Sequence, residues 1–110
     1  MKSIYDFPAI YDLILHRDPG VVEAEAHSIH QLLVQHGVQN GRILELACGA
    51  CAHGLLLARQ GHQVTGVDRA PAMLAEAERR ATVSGVALTL QQADIIDFTL
   101  ATAPFDAAIF

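Results

Sequence analysis

A short turn and three acids carry most of the chemistry this sequence could do. Cys48-Gly49-Ala50-Cys51-Ala52 is a run of small residues, placed directly after the apolar stretch Ile43-Leu44-Glu45-Leu46-Ala47. Gly49 among small neighbours lets backbone approach a ligand closely. Asp68 follows Gly49 by 19 residues. An acid about 20 residues after such a turn is the one that grips ribose hydroxyls in nucleotide-binding α/β proteins. The pair implies an adenosine-type ligand, either a dinucleotide or a nucleoside carrying a positive group. The dinucleotide fingerprint wants glycine at three places. Here those places hold Ala47, Gly49 and Ala52, a match at one of three. Glu45 would repel an anionic pyrophosphate and favour a cation. Asp94 is a third acid near the end of an apolar stretch.

The cysteines and histidines offer other chemistry. Cys48 and Cys51 form C-x-x-C between a strand and a helix, which is also the pattern of thiol–disulfide redox modules. No aromatic residue precedes the motif, Pro71 comes too early for a supporting proline, and Pro104 is poorly placed. A zinc site from Cys48, Cys51 and His53 lacks a fourth ligand at suitable spacing. His27 and His30, three apart on a helix, are expected on a solvated face. His36 beside Gly37 suits the negative end of a helix. No metal site is expected.

Glycine and proline punctuation defines the elements that must position these groups. Residues Ala9 to Leu15 read as a short helix. Asp18-Pro19 opens a second, with aspartate as N-cap and proline at the first helical position. Val22, Ala26, Ile29, Leu33 and His36 share one of its faces, and Gly37 stops it. Arg42 to Ala47 is a strand, Leu55 to Gln60 a helix stopped by Gly61, and Gln63 to Val67 a strand ending in Asp68. Pro71 to about Val83 is a helix, stopped near Gly85. Ala87 to Gln92 and Asp106 to Phe110 are strands. Short apolar strands alternating with helices imply a parallel sheet with right-handed crossovers, the doubly wound α/β fold. Ligands of that fold bind beyond the carboxyl ends of the strands, where Glu45, Asp68 and Asp94 fall.

The 110 residues suffice for one domain, read as a helical segment 1–37 and an α/β core 42–110. Apolar residues make up 52% and charged residues 17%, enough for a packed core. The formal charge is −5, with no basic run, so nucleic-acid backbones and anionic membranes are poor partners. No apolar run is long enough for a signal peptide or a membrane span. Two cysteines make no disulfide framework, and a reducing cytoplasm is expected.

Ile43-Leu44-Glu45-Leu46-Ala47-Cys48-Gly49-Ala50-Cys51 resembles motif I of the class I S-adenosylmethionine-dependent methyltransferases. Leu57 to Asp68, the Met73-Leu74 pair with Ala77, Ala93-Asp94-Ile95 and Phe105 to Ile109 are similar to that family in the same order. Ala9-Ile10-Tyr11-Asp12 is similar to the helix that often precedes its core. The resemblance implies a Rossmann-like sheet of order 3-2-1-4 and S-adenosylmethionine as cofactor. It also implies roles. Glu45 would act through the turn on the methionine amino group, and Ala47, Cys48 and Gly49 would offer backbone to the methionine moiety. Asp68 would accept from both ribose hydroxyls. Arg69 and Met73 would flank the adenine, Asp94 would accept from its amino group, and Ile95 would offer its backbone N–H. Tyr11 could close over the cofactor. No catalytic base is identified.

Departures from the family carry their own expectations. Glycines are usual where Ala47 and Cys51 stand, so the Cys51 side chain is expected where backbone normally approaches the ligand. Ala70 replaces a frequent serine and removes a helix cap. The apolar ending Phe105 to Phe110 reads as a strand inside a larger domain. The sheet is then incomplete, the chain impaired as an enzyme on its own, and an open sheet edge would pair with a missing half or a second copy. The expected function is methyl transfer to a small-molecule acceptor. The competing readings are a redox module using Cys48 and Cys51, or a non-catalytic remnant of the fold.

Overall fold

The computed structural model describes residues 18–94 and 104–110. The expected first helix, Tyr11 and Ile95 lie outside the described residues. The elements in chain order are α1 (Pro19–Gln35), β1 (Arg42–Leu46), α2 (Ala52–Arg59), β2 (Gln63–Asp68), α3 (Pro71–Ser84), β3 (Thr89–Gln92) and β4 (Ala107–Ile109).

The strands form a parallel sheet in the order β3-β2-β1-β4. β1 is central, with Ile43 opposite Val64 of β2 and Ala107 of β4. Being central, it is buried through Ile43, Leu44 and Glu45, which is why it reads as a continuous apolar run. Leu33 of α1, Ile43 of β1, Leu57 of α2 and Val64 of β2 form one buried cluster. Cys48, Cys51, Leu74 and Ala77 form a second, joined by Leu88 and Leu90. The α/β doubly wound architecture and the strand order are those expected from the sequence.

Local signals explain most boundaries. The Asp18 side chain accepts from the Gly20 amide at 2.8 Å and caps α1. Gly37 follows its end at φ +82°. His36 Nδ1 reaches the Leu32 carbonyl at 2.8 Å, which serves the helix end as expected. His36 is nevertheless exposed, so the buried face of α1 is narrower than its apolar spacing implies. Gly85 caps α3 at φ +71°. The Val86 amide still donates to Ala81 O, so the chain remains committed to the helix end. β3 therefore starts at Thr89, opposite Thr65, and not at Ala87. No helix among the described residues is long and apolar enough to cross a membrane.

Candidate functional site at the carboxyl ends of the strands

The turn after β1 is built from left-handed residues. Ala47, Gly49 and Cys51 have φ of +52°, +56° and +58°. Only Gly49 takes this conformation without steric cost. The Cys48 amide donates to Val67 O at 3.0 Å and the Cys51 amide to Cys48 O at 2.8 Å, so the turn is closed on itself and tied to β2.

Asp68 ends β2 directly beside this turn. Its Oδ1 accepts from the Gly49 amide at 3.1 Å and its Oδ2 from the Ala70 amide at 3.0 Å. The carboxylate thus fixes the turn on one side and the start of α3 on the other. It also serves the end of α3 where the Ala70 side chain makes no capping bond. A carboxylate has about four acceptor positions, so each oxygen keeps capacity for a further donor. The Ala93 amide donates to Asp68 O at 3.0 Å, which brings the exposed Asp94 to the same end of the sheet. Arg69 is also exposed, with its carbonyl accepting from Gln92 Nε2 at 3.3 Å.

Glu45 points from the middle of the sheet to the start of α2. It is 6% exposed, and its Oε2 accepts from the Gly54 amide at 3.0 Å. Cys51, the N-cap of α2, supplies no side-chain bond, so the strand acid takes that part. An anion at a helix N-terminus is favoured by the aligned peptide dipoles. This support explains why α2 begins at Ala52, earlier than its apolar residues indicate. It also bears on ligand choice, because Glu45 occupies an amide that a pyrophosphate would need.

The packing corrects two expectations, on Cys51 and His30, and places Met73 beneath the turn. The Cys51 side chain is fully buried and faces the core, away from the open side of the turn. The left-handed φ of its backbone turns Cβ inward, and glycines at 54 and 66 leave room for the sulfur. Met73, expected beside an adenine, is 0% exposed and packs with Ala50 and Ala70. Its Cε lies 3.2 Å from the point a Cβ on Gly49 would take, so it is the floor under the turn. His30 is not a purely solvated residue. Its Nδ1 lies 2.9 Å from Nε2 of His62, whose Nδ1 accepts from the Gly41 amide at 3.1 Å. His62 is 4% exposed, and its role had no sequence signal beyond its residue type.

The thiols are free and buried. A hydrogen bond with Cys48, burial and the Glu45 carboxylate raise the Cys51 pKa far above the ordinary thiol range. A redox nucleophile needs the opposite, a lowered pKa with access to solvent. Among the described residues no group of three or more metal-ligating side chains occurs. A cleft of about 500 Å³ also opens at the amino-terminal end of the strands, lined by Arg42, His62, Thr65, Thr89 and Phe105. It contains none of the three acids and lies at the end of the sheet opposite to where this fold binds ligands.

Residues 43–110 match a family described as a methyltransferase domain. The chain is 37% identical over 68 residues to the 2-heptyl-1-hydroxyquinolin-4(1H)-one methyltransferase of Mycobacteroides abscessus, covering 61% of this chain and 30% of that protein. A crystal structure of an S-adenosylmethionine-dependent methyltransferase from Clostridium acetobutylicum superposes with a TM-score of 0.73 at 26% identity, covering 93% of this chain and 41% of that one. The sugar N-methyltransferase KedS8 of a Streptoalloteichus species gives a TM-score of 0.69 at 33% identity, covering 89% and 38%. The chain spans less than a third of the length of the curated relatives it matches.

Proposed function

Because the chain belongs to the methyltransferase domain family, we propose that it is the S-adenosylmethionine-binding part of a methyltransferase acting on a small-molecule acceptor. The observation that carries this reading is the Asp68 carboxylate, held by two backbone amides beside the Gly49 turn. Its remaining acceptor capacity suits the two vicinal hydroxyls of a ribose. The donor set fits the cofactor's charge as well. Glu45, Asp68 and Asp94 place negative charge at this end of the sheet, which favours a sulfonium and an amino group over a pyrophosphate.

The remaining roles follow from position. Backbone from Ala47 to Gly49 would hold the methionine moiety. Glu45 would favour its amino group through the turn, from behind the Gly54 amide. Asp94 would accept from the adenine amino group, and Arg69 would border the ring. Met73, which supports the turn from below, would flank the adenine with Arg69. The parts assigned to Tyr11 and Ile95 belong to this reading and lie outside the described residues. When bound, the cofactor supplies an electrophilic methyl group, and the protein supplies orientation and electrostatics.

The acceptor is read as small because the chain carries a charge of −5 and no basic run. Among the described residues β4 pairs only with β1, and this reading gives its outer edge to a further strand or a second copy. A monodisperse monomer in light scattering would remove the second copy. A cytoplasmic location is part of the same reading.

Calorimetric titration with S-adenosylhomocysteine tests the cofactor assignment, with circular dichroism to establish folding. Binding by the unaltered chain and its loss in Asp68→Ala is the expected result. A folded chain that binds nothing would refute it.

A further inference from the structure

The side chains of Cys48 and Cys51 meet over one point of β2. A Cβ added at Gly66 would fall inside van der Waals contact with Cys51 Sγ, and 2.8 Å from Cys48 Sγ. A Cβ at Gly54 would lie 3.6 Å from Cys51 Sγ and 2.7 Å from Glu45 Oε2. The two sulfurs therefore occupy a notch that exists because residue 66 has no side chain. Cys51 is completely buried there, and Cys48 is nearly so. Between them run Gly49 and Ala50, and the Gly49 amide is the one that meets Asp68.

We propose that Cys51, with Cys48 beside it, is a positioning residue that seats the turn 47–50 in the Gly66 notch and thereby sets cofactor affinity. The proposal rests on the cofactor reading above and goes further, since it assigns a role to a residue that touches no cofactor. The physical argument concerns the turn's backbone. Two of its five residues, Ala47 and Cys51, are left-handed without being glycine, and each adds strain that the surrounding packing must hold. The Cys48 amide ties it to Val67 O, the Gly49 amide to Asp68, and the Cys48 thiol donates to the Gly49 carbonyl at 3.4 Å. At Cys51 the amide donates to Cys48 O and the carbonyl accepts from the Leu55 amide, both at 2.8 Å, and the buried side chain adds a third anchor, its sulfur packed on both sides by glycine positions. A sulfur atom is large and polarizable enough to fill such a notch. Removing it leaves a void, and adding a methyl group at Gly66 evicts it. Either change shifts the Gly49 amide relative to Asp68, and a ligand held by both loses its fixed geometry.

Four variants of the full chain test this: Cys51→Ala, Cys51→Ser, Gly66→Ala and the pair Gly66→Ala with Cys51→Gly. Leu57→Ala, a substitution in the other core cluster, serves as the control for destabilisation. Affinity for S-adenosylhomocysteine is measured by calorimetry below every variant's melting temperature. Amide hydrogen exchange at Gly49 and Gly54 is followed without ligand.

Cys51→Ala and Gly66→Ala are expected to weaken binding about tenfold or more and to speed exchange at Gly49. Cys51→Ser, which keeps the shape, is expected to retain affinity. The paired variant is expected to recover part of what Gly66→Ala loses, because the evicted sulfur is gone. Leu57→Ala should lower the melting temperature and leave affinity unchanged.

Unchanged affinity and unchanged Gly49 exchange in Cys51→Ala would overturn the proposal, as would absence of any recovery in the paired variant. If Gly66→Ala does not fold, Cys51→Ala against Cys51→Ser decides alone. Should the unaltered chain bind nothing, the cofactor reading fails and the affinity role falls with it. Exchange at Gly49 then reports separately whether the thiols hold the turn.

Discussion

The amide of Gly49 donates to Oδ1 of Asp68 across 19 residues of chain, at 3.1 Å. The second oxygen of the same carboxylate takes the Ala70 amide. Asp68→Asn separates these duties. An amide side chain has one acceptor oxygen, so one of the two backbone amides loses its partner. Hydrogen bonds to a charged group contribute roughly 1.5–3 kcal/mol each. Asp68→Asn is expected to lower the melting temperature and to weaken S-adenosylhomocysteine binding by about 100-fold. Calorimetry and thermal unfolding on one preparation check both.

Ala47 is exposed and sits at φ +52°. Its methyl group makes the left-handed backbone costly without supplying core packing. Ala47→Gly removes that cost and is expected to stabilise the chain by about 0.5–1 kcal/mol. Thermal unfolding would read this as a rise of a few degrees. A fall in melting temperature would contradict the strain argument.

Glu45 is buried and holds the Gly54 amide. Glu45→Ala leaves that donor without its carboxylate and is expected to cost about 1–3 kcal/mol. Glu45→Gln keeps an acceptor oxygen and should cost less. It removes the negative charge, so it should weaken binding of the cationic cofactor more than it weakens folding. The ratio of the two losses, from chemical unfolding and calorimetry, is the measurement.

His62 fixes the end of α1 to the starts of β1 and β2. Its Nδ1 accepts from Gly41, so its proton sits on Nε2 and points to His30 Nδ1. Burial, and then His30, lowers its pKa below the ordinary 6.5. The unfolded chain therefore binds a proton first as pH falls. The contribution of His62 to stability is complete above about 6.5 and is lost as pH falls toward the folded-state value. His53 on α2 and Glu25 on α1 stand 3.6 Å apart at the neighbouring helix contact. Glu25 is mostly exposed, so the contact contributes little. Arg42 on β1 and Asp106 before β4 border the same corner. The melting temperature is expected to fall between pH 7 and pH 5. His62→Gln should flatten that slope.

The sequence showed the site's acids and its turn because their meaning is local. Gly49, Asp68 and the spacing between them define a strand, a turn and the next strand end. The parallel sheet follows from the alternation of strands and helices, and the strand order from the resemblance to the family. The direction of the Cys51 side chain was not legible. It is decided by Gly66, a residue on another strand whose lack of a side chain leaves a notch only once the strands pair. The contact of Met73 with the Gly49 turn was not legible either, because it joins a helix to a turn 24 residues earlier. The His30–His62 contact joins residues 32 apart and has no periodic signature. The start of α2 was misplaced because its cap comes from a strand.

The order of the strands also has a kinetic meaning. Glu45, the turn and Asp68 all lie within one β–α–β unit, whose strands pair residues 21 apart, such as Ile43 and Val64. β4 joins β1 from much further along the chain. Asp106 reaches Arg42 across 64 residues, with its carboxylate taking the Arg42 amide at 2.8 Å and its own amide meeting the Arg42 carbonyl. Closing the longer loop costs more chain entropy, though only logarithmically. The shorter closure favours pairing of the central strand with β2 ahead of β4. On that order the docking of β4 follows the pairing of β1 with β2 and carries the larger entropic cost.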